Sequence, residues 1–496
     1  AEAADRPVMV ETTRREQFHA IRNRRPARVT LRSVVTEDGD LRALDMDAVT
    51  NSGAYGPHGM TVSSAVGKKP LPLYTHTPNI RFEATAVHTN LPVAGAFRGY
   101  GAPQGHLAVE GHMDEIAREL DLDPIELRSR NVISEGDLDV ASGILKDGEY
   151  GRRIRSCGLD GCIAEGRAAI GWDDVEQPDA DHLHRACGMA LTIQSSGVPG
   201  EELGAAHIKM NEDGSFILQT GAVDIGPGAD TVMAQIAAEV LGVPPEDVLV
   251  QPSDTDISPF DHGAYASSTT YITGQAVKKA AEDTRGMLFE FASRMLDEPE
   301  SAFTVGDEAV VSEVTGESVS LEAIGYESMY GDEVRAHVMG DASHCTDESP
   351  PPFGAQFIDV TVDEETGEFE VHEMIYAVDC GVALNPALVE GQVEGAMHMS
   401  YELATGDGLT FDADGRPETL GFRDYDMPTT GDQPPMQSII VETHEPTGPF
   451  GAKSVAEIPV NGVPPALSNA VRRAVGARVG DLPITPEKIR AALDDD

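Results

Sequence analysis

Two glycine-rich loops, each running straight into a helical pattern, constrain this chain more than any other feature. Gly95–Gly105 reads GAFRGYGAPQG, and after it Val109, Met113, Ile116 and Leu120 recur on one face of a helix. Gly221–Gly228 reads GAVDIGPG and leads into Val232, Ile236, Val240 and Leu241, again one face. Loops of this kind turn backbone N–H groups and the positive end of a helix toward one point, so each is a candidate anion cradle. A third loop, Gly263–Gly274 (GAYASSTTYITG), carries hydroxyls that could bond phosphate oxygens. None matches GxxxxGK[ST], and none is GxGxxG in a strand–helix frame, which argues against an ordinary NTPase or Rossmann enzyme.

The elements around these loops mix without a strict βαβ rhythm, so the expected class is α+β. Arg28–Val35 and Leu41–Val49 read as strands across the turn Glu37–Asp40. Asp123 can cap a helix with Pro124 in its first turn, and Glu126 can bond back to the cap. Ala206–Lys209 and Ser215–Thr220 flank the hairpin signal Asp213-Gly214. Phe357–Val362 and Phe369–Val378 form a second hairpin, and Ala466–Val479 reads as a helix. A length of 496 residues exceeds one compact domain. The acidic stretch Asp173–His184 lies between a helix-like run ending at Ile170 and a strand-like run, Ala186–Gln194, which sets a boundary near residue 178.

Charge narrows the partners. Asp+Glu number 84 against 36 Lys+Arg, a formal net charge of -48. Nucleic acid and anionic membrane are therefore unfavourable partners. No apolar run reaches the length of a membrane span, and the first twenty residues contain no signal-peptide core. Only 8 of the 36 basic residues are Lys, an acidic, Lys-poor balance expected of cytoplasmic proteins of salt-loving microbes such as a haloarchaeon. Five cysteines, with Cys157 and Cys162 in CGLDGC, make neither a disulfide scaffold nor a complete zinc or iron–sulfur site.

Gly448–Pro459 (GPFGAKSVAEIP) places Lys453 and Glu457 in an otherwise small, apolar run. A carboxylate in apolar surroundings can serve as acid or base near neutrality, although Glu is ordinarily a surface residue. The other candidates have plainer readings. Asp254 and Asp256 suit an Asp-rich turn, His262, His344 and His398 stand isolated, and Met397 and Met399 look like core filler.

Six ordered motifs together change the picture: Gly95–Gly105, Asp123–Asn131, Gly221–Gly228, Gly263–Val277, Asp379–Gly395 (DCGVALNPALVEGQVEG) and Gly448–Pro459. Over essentially its whole length the chain resembles the molybdenum-binding large subunit of the xanthine oxidase family, the molybdenum hydroxylases. The resemblance implies a molybdenum cofactor-binding fold of two mixed α/β subdomains, residues 1–178 and 179–496, the second with the active-site glutamate. It implies molybdopterin, as its cytosine dinucleotide, whose dithiolene holds the metal so that the protein supplies no metal ligand. Phe97 and Arg98 fall near the metal. Gly226, Pro227 and Gly228, with Ala266, Ser267, Ser268 and Thr269, fall against pterin and phosphate, and Gln392 lies in the GQVEG turn. Glu457 matches the family's base, with Arg98 beside it in the catalytic set, and water is the oxygen source. Electrons would leave through a small iron–sulfur subunit and an FAD-binding subunit.

The sequence departs from that family in two places. Pro227 stands where an amide side chain is usual, which removes a cofactor contact and a backbone donor. The family's N-terminal domain and its GGGFGG segment are not in these 496 residues; the expectation is that a separate chain supplies them or that the sequence is N-terminally incomplete, with a degenerate protein as the alternative. Gly95 stands where a carbon monoxide dehydrogenase carries cysteine, and Leu91–Gly105 contains none. The resemblance is to xanthine dehydrogenase-type subunits, oxidising a purine, N-heterocycle or aldehyde. Reductive dehydroxylation of an aryl-CoA thioester, as in 4-hydroxybenzoyl-CoA reductase, and a non-catalytic assembly role are the alternatives.

Overall fold

The computed structural model describes residues 1–142, 145–146, 149–332, 335–406, 408–425 and 427–495. Two four-stranded sheets dominate. In one, the order is Met436–Ile440, Phe369–Asp379, Phe353–Asp363, Leu183–Ile193. Phe353–Asp363 is buried along nearly its full length, as a strand covered on both faces must be. The helix Leu159–Ile170 and the helix Val463–Val475 both pack on it. The second helix lies so close to the neighbouring strand that a Cβ on Gly188 would fall 2.2 Å from the Ala470 nitrogen. In the other sheet the order is Val248–Gln251, Phe216–Thr220, Gly204–Met210, Met339–His344. The helices Ala229–Leu241 and Thr269–Leu296 pack against each other and against this sheet.

A three-stranded sheet of Ala27–Val35, Leu41–Gly53 and Ile80–His88 precedes both. Alternation along Leu41–Gly53 sends Leu44, Met46 and Ala48 inward, while Asp45 and Asp47 pair with Arg32 and Arg81 outside. This core is continuous with the first four-stranded sheet: one apolar cluster runs from Leu41 through Met113 and Leu159 to Phe357 and Ala377, drawing on both sides of residue 178. Among the described residues no helix is long and apolar enough to cross a membrane.

Two local expectations need correction. Asp123 does cap its helix, accepting from the N–H groups of Ile125 and Glu126 at 2.8 and 3.0 Å. Glu126 does not return to the cap; its carboxylate lies 3.6 Å from Arg130, one turn on. The helix expected over Ala466–Val479 is Val463–Val475, and a further helix, Pro486–Asp495, follows it. Pro464 fits its first turn, and Gly476, at φ 83°, ends it in the left-handed conformation that glycine tolerates.

Candidate active site

The C-terminal motif is anchored by a buried ion pair. Lys453 Nζ donates to Asp379 Oδ2 at 2.6 Å, with both side chains fully buried. Asp379 also accepts from the N–H groups of Gly158 and Gly381 and from the Thr443 hydroxyl. A buried pair is tolerated when its remaining lone pairs are satisfied in this way. Gly381 and Ala452 form a β-bridge, which locks Asp379–Gly395 to Gly448–Pro459. Lys453 is thus a structural anchor, and Glu457 lies one short step beyond it.

Glu457 is half-buried, in polar surroundings rather than the apolar ones its sequence neighbours suggest. Gly99 N–H donates to its Oε1 and the Ser267 hydroxyl to its Oε2, each at 3.1 Å. Ser267 reaches it from a strained turn: Ala266 and Ser267 are consecutive left-handed non-glycine residues, at φ 51° and 54°. Arg98 closes the group. Its Nε donates to Ala456 O at 2.6 Å, and a terminal nitrogen donates to Gln392 O and Oε1 at 3.1 and 3.3 Å. Burial lowers the Arg98 pKa while Glu457 opposes that shift. The Phe97 ring lies on the rim, under the Arg24 guanidinium at 4.7 Å.

Of the residues expected from sequence, Arg98 therefore bonds Gln392 and Ser267 bonds Glu457, and the two pairs are joined through Arg98 and Ala456 O. Ser268 is turned away, its hydroxyl donating to Tyr265 O. Ala266 O accepts from Gly197 N–H, and Thr269 opens the following helix. Gly226, Pro227 and Gly228 form a separate lobe. There the N–H groups of Gly226 and Gly228 converge on Asp224 Oδ1, at 2.8 and 3.2 Å. The loop is an anion cradle by geometry, and its own aspartate fills it. Gly228 touches Leu388, which lies one turn before Gln392 on the same helix, Pro386–Thr405, so this lobe flanks the Glu457 group. Asp254 and Asp256 form a turn, with Asp256 N–H donating to Asp254 Oδ1 at 2.9 Å.

Sequence reading missed Lys69, Ser195 and Glu202. Lys69 Nζ donates to Ser195 Oγ at 2.6 Å, and Glu202 is buried with Oε1 unpartnered. The one signal available for Lys69 was its position in a chain with few lysines.

The mixed α/β fold matches that of the molybdenum hydroxylase large subunit. Two molybdopterin cofactor-binding domain families match, one over residues 1–132 and the other over residues 165–434, and the chain belongs to the molybdopterin-binding proteins they describe. It is 37% identical over 494 residues to a protein of Escherichia coli (strain K12) named probable hypoxanthine oxidase, covering 99% of this chain and 51% of that one. It is 36% identical to the xanthine dehydrogenase molybdenum-binding subunit of E. coli O157:H7, covering 97% of this chain and 64% of that one. Quinoline 2-oxidoreductase from Pseudomonas putida 86 superposes with a TM-score of 0.88 at 25% identity, over 98% of this chain and 64% of that one. The chain thus spans between about half and two thirds of the length of these relatives.

Proposed function

We propose that this chain is the molybdopterin-binding catalytic part of a hydroxylase that oxidises a purine, N-heterocycle or aldehyde with oxygen from water. One observation carries the reading: Glu457 is held by Gly99 N–H and Ser267 Oγ while Arg98 binds its neighbour Ala456 and Gln392. A carboxylate fixed at both oxygens on a half-buried wall is placed to take a proton from a reacting group. Phe97, Arg98 and Gln392 would lie at the cofactor's core, and the loops Gly226–Gly228 and Ala266–Thr269 against its pterin and phosphate, in the cytosine dinucleotide form, with Asp224 displaced from the Gly226 and Gly228 amides. The bound cofactor supplies the redox chemistry. A small iron–sulfur subunit and an FAD-binding subunit would carry the electrons away. The acidic, Lys-poor composition fits a cytoplasmic setting at high salt.

The test is molybdenum per chain and turnover, on the complex purified in high salt with its partners. Glu457→Gln should lower kcat about a thousandfold and leave molybdenum content unchanged. Turnover that survives the substitution would exclude Glu457 as the base. A second reading, a non-catalytic assembly subunit, is favoured by Asp224 in the cradle beside Pro227; it requires a wild-type complex without molybdenum.

A further inference from the structure

Three cations in this part of the molecule are bonded to the protein. Arg98 binds Ala456 O and Gln392. Arg152 pairs with Asp139 at 2.8 Å, and Lys453 pairs with Asp379 at 2.6 Å. Lys69 differs. It closes the C-terminal end of the helix Gly59–Lys68, its N–H donating to Ala65 O, and the one hydrogen bond of its side chain among the described residues is to the neutral Ser195 hydroxyl. No carboxylate among them lies within ion-pair distance of it. An ammonium has three donors, so two remain for another partner.

The position of Lys69 is fixed by backbone packing. Its helix is pressed against the loop that carries Arg98 and Gly99; a Cβ on Gly101 would fall 2.5 Å from Val62 O. On the other side, Ser195 O accepts from the Ser454 hydroxyl, three residues before Glu457. Gln194 Nε2 donates to Gly99 O at 3.3 Å, and its buried Oε1 has no partner. Lys69 therefore stands across the same wall from the carboxylate. Burial pulls its pKa down to about 8; Glu457 and Glu202 favour its charge, Arg152 opposes it, and the nearby His106 is kept neutral by its own burial. A desolvated cation facing a neutral hydroxyl is costly, and an anionic oxygen arriving from solution relieves that cost.

We propose that Lys69, steadied by Ser195, is a specificity-determining residue that receives an anionic oxygen of the substrate, so that the site selects aromatic heterocycles carrying a carboxylate or an ionised ring oxygen. The inference rests on the hydroxylase reading and names its substrate class.

The probes are pyridine-3-carboxylate and its neutral carboxamide, assayed with the molybdenum-loaded complex. In Lys69→Met, KM for the carboxylate should rise about tenfold or more, with KM for the carboxamide and both kcat values within about threefold. Lys69→Arg should recover most of the loss, and Ser195→Ala should reproduce part of it with the charge retained. In the wild type, KM for the carboxylate should climb above a pH of about 8, where Lys69 loses its proton, and in Lys69→Arg it should not. An unchanged carboxylate-to-carboxamide ratio in Lys69→Met overturns the proposal. If the loaded complex turns over neither compound nor any purine or aldehyde, the hydroxylase reading fails instead. Equilibrium dialysis of the same two compounds then decides on Lys69: a carboxylate preference lost in Lys69→Met supports it, and equal or absent binding overturns it.

Discussion

At Gly95–Gly105 the backbone is wedged against its neighbours, whereas at Gly221–Gly228 much of it stands clear. A Cβ on Gly105 would lie 1.9 Å from Val66 O, and one on Gly99 would lie 2.7 Å from Val460 Cγ1. A Cβ on Gly226 would meet nothing within 4 Å, and Ile225 beside it is 71% exposed. The first loop aims a single amide, that of Gly99, at Glu457, and packing on several sides fixes that aim. The second turns two amides toward an anion and relies on Asp224 to hold its shape. A reacting carboxylate needs its donors fixed to a fraction of an ångström. A phosphate or pterin edge can be gripped by a loop that settles when its ligand arrives.

That contrast can be broken by substitution. Gly105→Ala should destabilise the fold by about 3 kcal/mol, because a backbone oxygen has nowhere to retreat, whereas Gly226→Ala should cost about 1 kcal/mol from its φ of 117° alone. Chemical denaturation of the two variants compares the loops directly; equal losses would mean that the first is no more tightly built than the second.

Acid should strain the packed loop in particular. His106 follows Gly105, donates from Nδ1 to Ala102 O at 2.9 Å and accepts at Nε2 from Ile193 N–H at 3.3 Å. Burial lowers its pKa from 6.5 to about 4. Below pH 6.5 the unfolded chain takes up a proton that the folded chain refuses, so stability falls with pH until about pH 4. The loss attributable to this group is about 2 kcal/mol by pH 5. Denaturation midpoints should show that component in the wild type and lack it in His106→Gln.

The smallest effect belongs to the open loop. Pro227→Gln should change stability by less than about 0.5 kcal/mol while raising the molybdenum retained per chain after dialysis. Unchanged retention would show that the proline costs the cofactor nothing.

Local signals made much of the fold legible. The turn signal Glu37–Asp40 marked Leu41–Val49 within the longer strand Leu41–Gly53, and the 3.6-residue pattern marked Val109, Met113 and Ile116 within the helix Ala102–Glu119. Ends were harder, since Pro464 extends the helix Val463–Val475 backward of its expected start and Gly476 stops it early. At the site, Arg98, Gln392 and Glu457 could be named because they sit in motifs. Their partners could not be read from neighbours in sequence: Gly99 and Ser267 lie 358 and 190 residues from Glu457, and Lys69 lies 126 residues from Ser195. Nor could the filling of the Gly226–Gly228 cradle by Asp224, which depends on a side-chain rotamer rather than on residue order.

The 358-residue separation between Gly99 and Glu457 also bears on how the protein is made. At about 5–20 residues per second, a ribosome that has released the first loop needs roughly 20 s to over a minute to deliver the glutamate that completes it. During that interval the first loop exists without its carboxylate, whereas Lys453 follows its partner Asp379 by only 74 residues. The two halves of the Glu457 group therefore meet only once the chain has been made as far as Glu457.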